Sequence, residues 1–437
     1  MHPAFPCDIL ASASTRGRKE VSSMQATANT GWKRNTAVFM TSQAISLFGS
    51  TLVQFAITWY ITLTTQSGVY MTISIMCSLL PLLLVSPFAG VWADRYDRKK
   101  LIMISDSAIA LSTLVLAIVF MSGYREIWLL LAVSTVRALG GAVQTPAVNA
   151  LLPDLVPEEQ LTRVNGLNGS IQSLLSLASP ALAGALLNIV GSIELIFFID
   201  VITAAIAVVI MLRFLRVPAR ERAETEAERG GYFREMREGM AYARKHPYLM
   251  HLLGFTVVIC FCVAPVSFLT PLQVVRNYGE EVWRLTAIEI TFSVGMLLGG
   301  LLISAWGGLK NRIQTMGLSI VPMGLLTVLL GVPIPFWLYL AFMALVGLSL
   351  PMFNTPAMVL LQEKVDGAYL GRIFSIVSMV NGGVMPLAML LFGPLADAVP
   401  IDWLLIATGV VILITGGVLL MDRVVLRAGR PGPVPES

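Results

Sequence analysis

TPAVNALL, Thr145–Leu152, and TPAMVLLQ, Thr355–Gln362, are two versions of one stretch. The first leads on to LTR, ending at Arg163, and the second to LGR, ending at Arg372. The threonines are 210 residues apart and the arginines 209. Gly90, ahead of a basic loop, and Gly300, ahead of the weaker loop GGLKNR, are again 210 apart. Matches at one offset in a chain of 437 residues argue that a unit of about half the chain is duplicated.

The content of that unit follows from composition. The chain is 56% hydrophobic and 13% charged, against about 25% charged in soluble domains. Its mean hydropathy is +0.77. A soluble enzyme or a nucleic-acid binder has no use for so much apolar surface, and no nucleic-acid partner is expected. A spanning helix needs roughly 20 apolar residues. Six such segments lie at about 35–64, 69–92, 101–122, 127–151, 165–190 and 193–215, and six more at about 248–275, 285–306, 313–331, 336–361, 372–396 and 401–422. The expected fold class is an all-α membrane protein: twelve transmembrane helices in two pseudo-symmetric six-helix halves embedded in the lipid bilayer.

The domain layout reads as follows. Residues 1–34 are polar and Ser/Thr/Ala-rich and are expected to be a disordered cytoplasmic N-terminus, without a cleavable signal peptide. Met24 reads as an alternative start. The first half covers 35–215, a charged central loop 216–247, the second half 248–423, and a tail 424–437. With both termini placed in the cytoplasm, 26 Lys and Arg fall on that side and three, Arg125, Arg276 and Arg284, on the other. The positive-inside rule therefore orients the chain as a multi-pass protein of the cell membrane with both ends inside.

Three His and four Cys form neither a metal site nor a disulfide framework. The run GMLLGG at Gly295–Gly300 lacks the strand and the Lys of a phosphate loop and reads as a close-packing helix face. No cofactor, no metal and no catalytic cluster are expected. The oligomeric state is not legible, and a monomer is the default.

Charged residues inside the membrane are costly and mark functional sites. Arg137 sits mid-helix in VSTVRALGGAV and must face the bundle interior or a watery cavity. Three acids stand as its partners or as proton carriers: Asp200 in LIFFIDVITAA, Glu289 in LTAIEITFSVGMLLGG, and Asp106 near the basic end of the third helix. Glu289 and Asp200 fall toward the outer third of the membrane. Asp106 lies near the basic loop and is read first as pairing with it. Gln54, Gln144, Asn149, Gln172 and Asn354, with Phe268 as an apolar wall, are candidates to line a central cavity, or else bond helices together.

The loop GVWADRYDRKK, Gly90–Lys100, resembles the signature of the major facilitator superfamily between helices two and three. Gly90, Asp94, Arg95, Arg98 and Lys99 match it, and Asp97 departs from it. The resemblance implies a gating latch, with Asp94 accepting from a neighbouring helix N-terminus; a plain positive-inside anchor is the alternative. SPALAG, Ser179–Gly184, is similar to a degenerate antiporter motif that keeps Pro180 and Gly184 and replaces glycines at Ser179 and Ala183. An ordinary kinked packing helix would read the same. RALGG resembles the fourth-helix signature, which implies that Arg137 takes part in proton transfer or pairs with an acid.

Longer stretches narrow the resemblance. GWK at Gly31, QAISLF, DRYDRKK, TPAVNALLPDLVPEEQLTR, FREMREGMA, EITFSVGMLLGGLL, QEK and LGRIFS are similar to the macrolide-efflux (Mef) proteins, a drug/proton antiporter branch of that superfamily. The likeness runs from about Gly31 to Asp422. It implies proton-coupled efflux of macrolides or similar small amphipathic drugs by alternating access, with antibiotic resistance as the outcome. Siderophore or lysophospholipid export is the alternative within the superfamily, and an integral-membrane enzyme a more distant one.

Overall fold

The computed structural model of the protein describes residues 8–215, 217 and 232–430. The first half holds α1 (Asp8–Thr65), α2 (Gly68–Arg95), α3 (Arg98–Met121), α4 (Ile127–Leu155), α5 (Leu161–Val190) and α6 (Glu194–Phe214). A connecting helix, α7 (Tyr232–Lys245), follows. The second half holds α8 (Pro247–Phe268), α9 (Thr270–Tyr278), α10 (Val282–Trp306), α11 (Arg312–Leu330), α12 (Phe336–Lys364), α13 (Gly367–Ala398), α14 (Ile401–Met421) and α15 (Arg423–Ala428). Twelve of these, all but α7, α9 and α15, are long and apolar enough to cross a membrane. The protein is an all-α membrane protein of two six-helix halves.

Two boundaries differ from the sequence reading. The stretch 1–34, expected to be disordered, is helical from Asp8 onward and continuous with α1, because no proline interrupts 8–34; residues 1–7 lie outside the described residues. The span expected over 248–275 is two helices meeting at Leu269, between Pro265 and Pro271. Proline lacks the N–H that a continuous helix needs. Most of the central loop, 216 and 218–231, and the tail from 431 lie outside the described residues.

The duplication is visible in the packing. In the first half α2 packs on α4, α1 on α5 and α6, and α3 on α4 and α6. The counterparts repeat it: α10 on α12, α8 on α13 and α14, and α11 on α12 and α14. The halves meet through two matching seams, α2 with α13 and α5 with α10. The connecting helix α7 rests on the second half, where Glu238 pairs with Arg372 at 3.1 Å and Tyr242 stacks on Tyr369 at 4.4 Å.

The seams close at one end only. At the end away from the basic loops, a Cβ on Gly184 of α5 would overlap the Thr286 side chain of α10. A Cβ on Gly393 of α13 would overlap Thr72 of α2. Only glycine allows these approaches. Toward the basic end no described atom stands within 4 Å of the same position on Gly90, Gly166, Gly169, Gly300, Gly371 or Gly382. The four seam helices therefore converge at one end and part at the other.

Candidate transport site and gates

A buried polar network holds the first half together. Arg137 of α4 donates from Nη1 to Asp200 Oδ2 of α6 at 2.6 Å and to Thr113 Oγ1 of α3 at 2.7 Å. Its Nη2 donates to the Ser50 carbonyl of α1 at 3.0 Å, and the Ser50 hydroxyl donates to Asp200 Oδ1 at 3.3 Å. Four helices are tied by one ion pair. Asp200 is wholly buried and Arg137 nearly so. In such surroundings a lone charge is severely penalised, so each partner is the condition for the other.

Asp106 does not pair with the basic loop as expected. It accepts from the Ser46 hydroxyl of α1 and from Gln144 Nε2 of α4, both at 2.8 Å on Oδ1. Its Oδ2 is buried without a hydrogen-bond partner among the described residues. The reason is register: Asp106 is eight residues into α3, about two turns above Arg98, and its side chain turns inward onto α1 and α4. Gln144, read as a cavity residue, is spent on this bond.

Glu289 of α10 is half-buried and has neither hydrogen bond nor ion pair among the described residues. It lies three residues beyond Thr286, on the same helix face. That face closes on Gly184 of α5. Glu289 is therefore on the seam side of α10, about one turn from the contact of Thr286 with Gly184. Pro180 and Ser179 of the antiporter-like motif are buried.

Gln54, Asn149, Gln172 and Asn354 are exposed. All four are polar residues of membrane spans. Asn354, with Asn381, borders a small crevice between α8, α12 and α13. Phe268 is half-buried and packs against the core of the second half near the closed end.

The closed end carries a cluster that the sequence reading missed. Asp397, near the end of α13, accepts from the backbone N–H of Gly68 at 2.7 Å and of Val69 at 3.1 Å, and from the Ser67 hydroxyl at 2.6 Å. Those groups belong to the start of α2, in the other half. Arg276 of α9 donates to Asp397 Oδ1 at 2.8 Å and to the carbonyls of Ala396 and Gln66. Gln66 Nε2 donates to Glu280 at 2.6 Å, and Gln66 is held at φ 47°. Side chains rarely adopt that backbone state, and surrounding contacts must hold it there. A signal was present: Gly393–Asp397 reads GPLAD and Gly90–Asp94 reads GVWAD, one spacing at the ends of α13 and α2.

The basic loop engages its own half in this conformation. Arg98 donates to the carbonyls of Ala93 and Ala150 and pairs with Asp154 of α4 at 2.5 Å. Lys99 donates to the Leu215 carbonyl at 2.8 Å, beyond α6. Asp97 caps α3, accepting from Lys100 N–H at 3.2 Å. Arg95 is exposed, and the Asp94 side chain lies outside the described side chains. Ser46, Ser50 and Thr113 also escaped the sequence reading, because short hydroxyls in helices look like neutral filler.

Two six-helix halves of the same packing, joined by two matching seams, are the architecture of a membrane transporter. The chain belongs to the Major Facilitator Superfamily, whose family profile matches residues 39–314. It is 34% identical over 387 residues to Macrolide efflux protein A of Streptococcus pyogenes, covering 88% of this chain and 95% of that one. Macrolide efflux protein A of Enterococcus faecalis is 35% identical over 326 residues, covering 74% and 99%. Among solved structures, a bacterial homologue of the lysosomal transporter Spinster, inward-facing and unoccupied, superposes with a TM-score of 0.64 at 15% identity over 92% of this chain and 99% of that one. Over most of its length the chain thus resembles the macrolide-efflux (Mef) proteins.

Proposed function

We propose that the protein is a proton-driven exporter of macrolide-type or similar amphipathic compounds in the cytoplasmic membrane. The observation that carries the substrate class is its 34% identity to Macrolide efflux protein A across 95% of that protein. The basic end is cytoplasmic by the positive-inside rule, with both termini there. The conformation described is then inward-facing, with Gln54, Asn149, Gln172 and Asn354 on the wall that meets substrate.

Glu289 is the leading proton carrier. No cation among the described residues pairs with it, so taking up or losing a proton breaks no described ion pair, and it stands on the seam side of α10 toward the outer end. Asp200 is bound to Arg137, and protonating it would cost the network its charge balance. Asp106 is a second carrier, reached through Ser46 and Gln144. Neutralising a seam carboxyl changes the balance between the two orientations of the halves. Asp94, Arg95, Arg98 and Lys99, with Gly90, latch the basic end when it closes, and Asp397 latches the outer end when that closes.

The test is macrolide accumulation in a susceptible bacterium with and without the gene, repeated with a protonophore. Low accumulation that rises to the control level with the protonophore is expected. Equal accumulation in both strains, with the protein present in the membrane, would remove macrolides as the substrate.

A further inference from the structure

Away from the transport pathway, a groove of about 780 Å³ runs along the basic-end half of α1. Trp32, Met40 and Phe48 of α1 form its floor, Leu167 and Ile171 of α5 one wall, and Ile206 of α6 the other. None of the cavity candidates Gln54, Asn149, Gln172 or Asn354 lines it. Its size is that of a small-molecule pocket, and its lining is nearly all apolar.

Its mouth is cationic. Lys33 lines the groove, with Nζ 5.9 Å from the centre of the Trp32 ring. Arg34 stands three residues before the lining residue Ala37, Arg163 four before Leu167, and Arg213 seven after Ile206. These are same-face spacings on a helix, so α1, α5 and α6 each bring at least one cation to the groove face. All four are exposed. None has a carboxylate partner among the described residues, whereas Arg98, Arg312 and Arg372 at the same end each have one.

Depth fits as well. Gly49 of α1 abuts Thr203 of α6, which sets a common level. Arg213 lies ten residues beyond that level and Ala37 twelve, roughly 15 and 18 Å. Half a hydrocarbon core is about 15 Å. The inner part of the groove, from Met40 to Phe48, therefore occupies acyl-chain depth, and its mouth from Ala37 outward, with the cations, headgroup depth.

We infer that this groove is a binding site for an anionic phospholipid of the leaflet at the basic end. The acyl chains lie along α1 between α5 and α6, and the phosphate sits among Lys33, Arg34, Arg163 and Arg213. A neutral or cationic amphipath would bring nothing to meet four unpaired cations at the mouth. The inference does not depend on what the protein exports.

The full chain, purified in neutral detergent and stripped of lipid, is titrated with phosphatidylglycerol or phosphatidylcholine, and bound lipid is counted by native mass spectrometry. Phosphatidylglycerol is expected to be retained at least about tenfold better, and to raise the unfolding temperature. Lys33→Gln with Arg34→Gln, or Arg163→Gln with Arg213→Gln, weakens its binding by about fivefold for each cation removed. Ala44→Phe, which fills the groove without changing charge, weakens it too. Lys310→Gln with Arg423→Gln, two cations of the same end outside the groove, leaves it unchanged. Equal retention of the two lipids would overturn the site, as would indifference to Ala44→Phe or an equal effect of the Lys310/Arg423 pair. Unfolding temperatures without lipid identify any variant that fails to fold, and the exposed Lys33/Arg34 pair then decides.

Discussion

The carboxylate of Asp397, at the end of α13, accepts the backbone N–H of Gly68 at the start of α2, 2.7 Å away and in the opposite half of the molecule. An acid at a helix N-terminus meets free N–H groups and the positive end of the helix dipole. The relationship has a mirror image. The two helices run antiparallel, and α2 ends in GVWAD as α13 ends in GPLAD. Asp94 therefore stands at the basic end of the same helix pair, at the sequence spacing that Asp397 has at the other. At the outer end the carboxylate contact between the halves is made.

Asp397→Asn should loosen the outer end. Hydrogen bonds to a charged group are worth about 1.5–3 kcal/mol, and partial exposure of this one puts it at the low end. The ratio of outer-open to outer-closed molecules should rise about tenfold. Spin labels at Tyr124→Cys and Trp337→Cys, exposed near that end on opposite halves, report the distance. An unchanged distribution would make the contact incidental.

Gly184→Val should act in the same direction by sterics alone. Its side chain would meet Thr286 across the α5–α10 seam, and tight cores transmit such overlap as displacement. Export should fall more than about tenfold with normal amounts of protein in the membrane. Thr286→Ala, which opens space opposite, should restore part of it. Full export by the Gly184→Val protein would show that the seam never closes this tightly during transport.

Much of this was open to reading from the chain. Twelve apolar runs and one offset fix the fold class, because lipid leaves a helix no alternative way to satisfy its backbone. Arg137 announces a buried partner, because an unpaired cation at mid-membrane is too costly. Which acid answers it was not legible, because the difference is depth: Arg137 reaches α3 at Thr113, about two turns from Asp106 on the same face, so Asp200 takes the arginine and Asp106 meets Ser46 and Gln144. Asp397 was passed over because it looks like an ordinary residue at a helix end. Its meaning comes from the antiparallel neighbour, 329 residues away.

The Arg137–Asp200 pair should behave as one unit. Removing either charge leaves the other buried and uncompensated, at a cost of about 3–5 kcal/mol. Arg137→Met and Asp200→Leu should each lower the unfolding temperature sharply. The double variant should recover most of that loss, since both charges are gone. If the two losses simply added, the pair would not be coupled.

Glu289→Gln should separate proton use from substrate binding. The carboxyl has no partner to lose among the described residues, so the amide should fold normally and leave unfolding temperature within a degree. If Glu289 carries the proton, uphill export driven by a pH gradient should fall more than about tenfold, while exchange of substrate across the membrane without a gradient persists. Asp106→Asn tests the second carrier in the same assay. Gradient-driven export that survives both changes would move proton coupling elsewhere.

Asp422 gives a pH dependence outside the membrane spans. Burial pushes its carboxyl up, but the hydrogen bond from His251 Nδ1 at 2.7 Å and the N–H groups of Val424 and Val425, which it caps, outweigh that and hold it below the ordinary value. A carboxyl lowered on folding stabilises the fold above its unfolded value, about 3.9, and loses that contribution as pH falls through the folded value. Asp422→Ala should therefore unfold a few degrees lower than the parent at pH 7, as expected for a lost helix cap worth about 1 kcal/mol. The gap should narrow as pH drops below about 4, because the parent's carboxyl then gains the proton that weakens its hold on His251 and α15. A gap that stayed constant from pH 7 to pH 3 would mean that the cap works through its shape and not its charge.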